Sequence, residues 1–431
     1  MKILNPSKFA LFSMNGLYLL IGFKGSIYSL DKKFYDFLSE SSDGGENRFD
    51  MLEDLTVIEK YEGECDKLPV MPGRTLRALC LNITSNCNLR CEYCFADTSE
   101  KTDMTIDTAK KAFEFLLENS DAASTLQIDF FGGEPLLNFS LIKEFVPYAK
   151  SFGRDIKFTL TTNAALLSGD IADFLNKEKI SLIMSLDGNK NINDIYRKSC
   201  DGSSSWQKIV DNIKNLIHSR DGGDYYVRGT FTPNYLNLKN IGSFYEQNKI
   251  YRFSLEGAKG KPENSWAISQ EHVKQIKLEY EKLADFILEK KRSGIPLDYF
   301  HFNIYLDTPL CASRRLSGCG AGVEYLSVSP KGELYPCHQL HEADFSMGTV
   351  FEKSELFFEK RDKFSKSGIA VKNGCLECWA RFYCCGGCHA QSWFENKDIN
   401  IPSSYECELQ KHRIKCAVWL EAMSKQNEPL N

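Results

Sequence analysis

The chain has no excess of positive charge: 53 Lys and Arg stand against 58 Asp and Glu, a net charge of -5. That balance argues against a nucleic-acid surface, which needs a basic face. Nor is there an apolar run of the roughly 20 residues that a membrane-spanning helix takes. The nearest approach, residues 9–23, follows Lys2 and Lys8 as an export signal would, but Ser13, Asn15 and Gly16 interrupt it. Asn-Gly is the strongest short hairpin signal, so residues 9–14 and 17–23 read as paired strands. The expectation is a cytoplasmic protein with reduced thiols, partnered by neither nucleic acid nor membrane. A hydrophobic content of 42% over 431 residues gives a soluble globular chain too long for one ordinary core.

Cysteine is what the chain has in quantity, 16 residues in all. Cys87, Cys91 and Cys94 form CxxxCxxC directly after the apolar run 78–83. Three thiolates on one loop can hold three corners of a [4Fe-4S] cluster and leave the fourth iron open to a small molecule. Structural zinc is the competing reading, but zinc takes four N or S ligands and the triplet has no nearby fourth partner.

From Arg77 onward, strands alternate with helices. The strands are expected at 78–83, 126–131, 156–162, 181–186, 225–231 and 250–255, and the helices at 107–117, 139–150, 170–176, 206–217, 238–247 and 270–290. Such alternation predicts an α/β fold with a parallel sheet, here a partial (β/α)6 TIM-type barrel whose chemistry sits at the C-terminal strand ends. Those ends carry Gly132-Gly133-Glu134-Pro135, Thr162-Asn163, Ser185-Leu186-Asp187, Arg228 and Glu256. Each alone also reads as a turn or a cap.

The hairpin is followed by a helical stretch with Phe34, Phe37 and Leu38 on one face, capped by Ser29 or Asp31, and by a second short helix at 49–55. The expected domains are 1–73, 74–300 and 301–431. Ten of the cysteines crowd into the last of these, in the order Cys311, Cys319, Cys337, Cys375, Cys378, Cys384, Cys385, Cys388, Cys407 and Cys416. Paired zinc sites remain an alternative for that segment.

The triplet with Tyr93 and Phe95 beside its last cysteine, and Gly132-Gly133-Glu134-Pro135 one strand later, resembles the signature of radical S-adenosylmethionine (SAM) enzymes. The resemblance implies SAM chelated at the open iron and cleaved to a 5′-deoxyadenosyl radical. It also implies Glu134 at the SAM amino group, Asn163 and Ser185 near its ribose or carboxylate, Asp187 on the same rim, and Arg228 as a carboxylate clamp. The later cysteines resemble a SPASM domain. That resemblance implies an interleaved ligation in which Cys311, Cys319, Cys337 and Cys388 bind one auxiliary cluster and Cys375, Cys378, Cys384 and Cys407 a second, which with the SAM-binding cluster makes three [4Fe-4S] clusters. Cys65, Cys80, Cys200, Cys385 and Cys416 have no place in that scheme and are expected to be buried small hydrophobes.

The N-terminal segment looks like a recognition element for the leader of a ribosomally made peptide, a small winged-helix domain that adds the peptide as a strand. A packing appendage is the plain alternative. Residues 225–232, 316–320, 335–339 and 378–384 look like the maturases of six-cysteine (SCIFF, ranthipeptide and sactipeptide) peptides, which join cysteine sulfur to carbon. That implies a cysteine-containing precursor as partner and a flavodoxin or ferredoxin as reductant. Sulfatase maturases place an Asp base after the cysteine matching Cys337, where this chain has His338. His338 is the candidate base here, since imidazole titrates near neutrality.

Overall fold

The computed structural model describes residues 9–22, 27–39, 75–96, 100–220, 224–261, 263–304 and 318–425. The expected helix at 49–55, Cys65 and Cys311 lie outside them. The described residues fall into two compact units, one holding 75–300 and 319–365, the other 9–39, 301–304, 318 and 366–425.

In the second of these units the chain opens on strands β1 (Ala10–Met14), β2 (Leu17–Ile21) and β3 (Ile27–Leu30), an antiparallel meander in the order β1-β2-β3. Asn15 and Gly16 both take positive φ, 45° and 81°, which is what a two-residue hairpin turn demands and why Asn-Gly occupies it. Helix α1 (Lys32–Ser39) follows, with Asp31 rather than Ser29 as its cap: Phe34 N–H donates to the Asp31 carboxylate at 2.8 Å. Phe9, Leu20 and Leu38 form a small core there. The third strand was not expected, because residues 27–30 carry no alternation distinct from the helix that follows.

The larger unit is built on a sheet that begins with β4 (Ala78–Thr84), buried along its whole length as a strand covered on both faces must be. A short β5 (Leu89–Cys91) leaves its end, and α2 (Ile106–Asn119) follows, capped by Thr105. Then come β6 (Leu126–Gly132), α3 (Phe139–Lys150), β7 (Ile156–Thr162), α4 (Asp170–Lys177) and β8 (Ser181–Ser185). Helix α5 (Lys190–Tyr196) and β9 (Arg197–Ser199) precede α6 (Trp206–Ser219), β10 (Tyr225–Phe231), α7 (Leu238–Gln247) and β11 (Arg252–Gly257). The long α8 (Val273–Arg292) leads to β12 (Asp298–Tyr299), β13 (Tyr325–Val328) and β14 (Leu334–Tyr335).

The nine strands of this sheet run β12-β11-β10-β8-β7-β6-β4-β13-β14, all parallel except β14. All six expected strands and all six expected helices are present, with the sixth strand displaced by two residues toward its C-terminal end. Helix α2 packs its Phe113 edge-on to Phe145 of α3, and Phe145 meets Phe130 of β6 the same way; such pairs contribute about 0.5–1.5 kcal/mol each beyond area burial. The sequence pattern did not show β13 joining β4, because four residues in a cysteine-rich context have no periodicity to read.

Asp129, on β6 inside this sheet, has its carboxyl raised to about 6, chiefly by burial and against a hydrogen bond from Thr159. An acid whose folded pKa lies above its unfolded value costs stability once pH exceeds the unfolded value, and the full cost is present above the folded one. Asp129→Asn is therefore expected to melt higher than the unchanged protein at pH 7.5 and to lose that advantage near pH 4, checked by thermal melts at both values.

Candidate active site

The C-terminal ends of the parallel strands surround one cavity of about 200 Å³. Cys87, Cys91 and Cys94 line it together with Tyr93, Phe95, Gly132, Gly133, Asn163, Ser185 and Arg228, ten of the expected site residues. His338 lines it as well, from the segment after β14. Glu134, Pro135 and Asp187 are buried and do not reach the cavity wall.

The cysteine loop is held by backbone. Gly133 N–H donates to Thr84 O at 2.8 Å and Glu134 N–H to Asn86 O at 2.7 Å, so the Gly-Gly-Glu segment pairs with the first residues of the loop. A Cβ on Gly132 would overlap the Thr84 carbonyl, and one on Gly133 the Asn86 carbonyl. Gly132 also takes φ +131°, closed to other residues. The cysteine loop thus packs directly against both glycines, which also line the cavity.

Glu134 is fully buried and already accepts three hydrogen bonds, from Asn163 N–H at 2.8 Å, Thr162 Oγ1 at 2.7 Å and Leu136 N–H at 3.1 Å. Burial raises its carboxyl to about 7 while these donors pull it down. It ties the end of β6 to the end of β7. Asn163, thus fixed, sends Nδ2 toward the Cys87 sulfur at 3.8 Å and to Asn88 Oδ1 at 2.8 Å.

On the other side the loop is clamped by a ribbon that the sequence did not disclose. Strand β5 pairs antiparallel with β9, placing Cys91 opposite Arg197. Arg197 is 9% exposed, lines the cavity, sends a guanidinium nitrogen toward the Cys91 sulfur at 3.9 Å, and lies 5.5 Å above the Tyr93 ring. Its Nε is 3.1 Å from the Asp187 carboxylate, which also accepts from Tyr93 OH and, at 2.8 Å, from Thr230 N–H. Asp187 thus positions Arg197 and Tyr93 from behind the wall. Burial pushes the Cys91 thiol up to about 12 against the pull of Arg197, and burial likewise raises Cys87. A metal binding there must displace protons.

Cys200 corrects one expectation: it is exposed, at the end of the β9 ribbon, with its sulfur 3.4 Å from the Cys87 carbonyl oxygen. Cys385 is half-buried, whereas Cys80 and Cys416 are buried as expected.

His338 faces Phe131 and Phe95, with ring centroids at 5.0 and 5.7 Å, and its Nδ1 is 2.9 Å from Tyr325 OH. Burial first, then the charges of Arg228, His341 and Lys259, lower its pKa to about 3. Moving a proton to it from an ordinary thiol near 8.5 is uphill by several pK units, which weakens the base role expected for it. Lys259 and Gln339 also line the cavity and were not foreseen.

In the other unit Cys375, Cys378, Cys384 and Cys407 stand close enough to perturb one another. Cys375 is raised to about 11 by burial and then by Cys407, and Cys384 to about 12 by burial and then by Cys407. Among the described residues, no three His, Cys, Asp or Glu side chains close on a point as ligands of a metal ion would. Cys319 and Cys337 belong to the larger unit and Cys388 to the smaller one.

Residues 81–225 match the model of the Radical SAM superfamily. The chain is similar in sequence to radical SAM maturases. It is 38% identical over 143 residues to the uncharacterized protein MJ0907 of Methanocaldococcus jannaschii, a match covering 33% of this chain and 48% of that one, so under half of that relative's length is spanned. The radical SAM cyclopropyl synthase TigE of Paramaledivibacter caminithermalis is 26% identical, with 80% of this chain and 74% of that one covered. The cysteine-type anaerobic sulfatase-maturating enzyme of Clostridium novyi is 26% identical, with 77% and 91% covered. Two solved structures share the fold: native anSMEcpe with bound AdoMet (TM-score 0.69, 22% identity, 82% of this chain and 100% of that one) and Streptococcus suis SuiB (TM-score 0.57, 17% identity, 94% and 99%).

Likeness to radical SAM proteins implies a [4Fe-4S] cluster and SAM, and the residue types lining the cavity are those that would hold them. Three thiols from one loop line it and would leave one iron of such a cluster open, and the buried guanidinium beside them would suit a carboxylate. Among the described residues no helix is long and apolar enough to cross a membrane.

Proposed function

We propose that this chain is a cytoplasmic radical SAM maturase that forms cysteine thioether crosslinks in a ribosomally made precursor peptide. The observation that carries the reading is the cavity lined by Cys87, Cys91 and Cys94 beside Arg197, with Phe95, Phe131 and His338 as an aromatic part of its wall. Bound there, the cluster and SAM supply hydrogen-atom abstraction by a 5′-deoxyadenosyl radical. Arg197 holds the SAM carboxylate, a role that suits it better than Arg228 because it is buried at the cysteine loop and aimed by Asp187. Asn163 and Ser185 line the cofactor's side of the cavity, and Glu134 holds Asn163 in place.

Joining a thiol sulfur to carbon oxidises the peptide by two electrons, of which one leaves with the abstracted hydrogen atom. The other needs an acceptor, and Cys375, Cys378, Cys384 and Cys407 are the residues that would hold an auxiliary cluster able to accept an electron. Assigning Cys311, Cys319, Cys337 and Cys388 to another cluster follows the sequence pattern alone. If Cys311 does not close the group of Cys319, Cys337 and Cys388, an iron held there would be open to a substrate thiol and would lower its pKa, so a base as weak as His338 would suffice. The strand meander β1–β3, with β1 and β3 at its edges, takes the leader peptide as an added strand. Among the structural relatives, anSMEcpe has been solved with AdoMet and a Cp18Cys peptide and SuiB with its precursor peptide SuiA, which supports a peptide substrate.

The test of this reading is the anaerobically reconstituted protein, reduced through flavodoxin or ferredoxin and supplied with SAM. It should carry iron for more than one cluster and release 5′-deoxyadenosine, and Cys87→Ala, Cys91→Ala and Cys94→Ala should each abolish that release. Release that persists in all three variants would rule it out. Carbon-carbon crosslinking is separated because its product retains its thiols, and sulfatase-type oxidation of a cysteine to an aldehyde because its product loses the sulfur from the peptide altogether.

A further inference from the structure

The cavity holds a second guanidinium that the cofactor does not account for. Along β10, Arg228 and Thr230 line the cavity, whereas Val227, Gly229 and Phe231 are buried. Packing behind the strand fixes that alternation. A Cβ at Gly229 would stand 2.7 Å from Tyr245 Oη and 2.9 Å from the Leu186 carbonyl oxygen, so a slip of one residue, which would turn Arg228 out of the cavity, has no room. In register beside Arg228 are Ser185 of β8 and Ser254 of β11, both short and uncharged.

The two arginines of the cavity differ in what answers them. Arg197 is buried and has the Asp187 carboxylate at 3.1 Å. Arg228 is exposed, and among the described residues its guanidinium meets no hydrogen-bond acceptor and no carboxylate. Glu256, the acidic side chain of the same wall, stands opposite Thr230 rather than Arg228. Lys259 adds positive charge to the lining, and the charges of Arg228 and Lys259 both reach His338.

SAM carries one carboxylate, which the buried Arg197 suits. Its ammonium and sulfonium are cations, and its adenine and ribose are neutral, so nothing else in it answers a guanidinium. An unanswered cation in a binding cavity attracts and orients an anion on the other molecule that enters. A guanidinium offers a carboxylate two parallel N–H donors, which fixes direction as well as charge.

We propose that Arg228 binds a side-chain carboxylate of the peptide segment that enters the cavity, so that the protein selects precursors with Asp or Glu at or beside the residue that loses hydrogen. This rests on the reading of the cavity as the SAM site and of the substrate as a peptide. Arg228 then sets which residue of the peptide faces the cofactor.

The test uses two fluorescently labelled peptides: a cysteine-rich precursor with Asp or Glu between its cysteines, and the same peptide with those residues changed to Asn or Gln. Each is titrated by anisotropy into the full-length, reconstituted, SAM-loaded protein. The acidic peptide should bind about 10- to 100-fold more tightly, the worth of one charge-assisted contact. Arg228→Gln should weaken the acidic peptide by that factor, leave the amide peptide unchanged, and keep the iron content and SAM affinity of the unchanged protein. Arg228→Lys should keep part of the preference, since it retains charge without the fork. Equal affinity for the two peptides in the unchanged protein overturns the proposal whether or not either variant folds, and so does an undiminished preference in Arg228→Gln. A loss of SAM affinity in Arg228→Gln would place this guanidinium on the cofactor and overturn it as well. If the acidic peptide is preferred but neither peptide gains a thioether on reduction, the crosslinking reaction is wrong and the role of Arg228 stands. A protein that binds neither peptide contradicts the peptide reading, and this proposal with it.

Discussion

Gly133→Ala will purify as a folded protein that lacks the iron of its SAM-binding cluster. The new methyl group would overlap the Asn86 carbonyl and crowd that of Ser85, both backbone atoms with no rotamer to yield. The segment must then move away, breaking the bonds from Gly133 N–H to Thr84 O and from Glu134 N–H to Asn86 O. Those bonds set where the loop begins, one residue before Cys87. Overpacking of this kind costs about 1–3 kcal/mol, which a chain of this size survives. The site does not survive it so well, since misplacing reacting groups by about 1 Å costs on the order of 100-fold in rate. Iron content should fall by one cluster's worth, and 5′-deoxyadenosine release by at least that factor. Wild-type iron and release in this variant would show that the glycines do not set the loop.

The second large effect is at Asp187. Its carboxylate answers the buried Arg197 and receives Tyr93 OH and Thr230 N–H. Asp187→Ala leaves a guanidinium without its counter-ion in a site 9% exposed, and breaking a buried pair from one side costs about 3–5 kcal/mol. Arg197→Leu in the same chain should restore part of that stability, because the uncompensated charge is gone. SAM affinity, by contrast, should fall in both variants and stay low in the double one. Denaturant melts and SAM titrations read the two effects separately; single and double variants of equal stability would mean that the pair is not the clamp described.

Much of the scaffold was legible in the sequence, and the reason is periodicity. Each strand of the parallel sheet is a short apolar run ending in polar residues, and each helix carries one apolar face, so the run 139–150 or 225–231 declares itself without its neighbours. The cysteine loop was legible because spacing alone carries its chemistry. Arg197 was not, since its meaning lies in two contacts that sequence does not display: a three-residue ribbon with β5 and an ion pair to Asp187. The same holds for Glu134 and Asp187, expected in the cavity and found behind its wall as braces, because a polar residue at a strand end gives no sign of which way it turns.

The most direct test of the central claim is high-resolution mass spectrometry of a cysteine-rich precursor peptide after incubation with the reduced, reconstituted protein and SAM. The account predicts that 5′-deoxyadenosine accumulates, that the peptide loses two hydrogens for each crosslink, and that each crosslinked cysteine becomes inert to alkylation. Deoxyadenosine formed while the peptide keeps its mass, or a mass loss that leaves every thiol reactive, would contradict it.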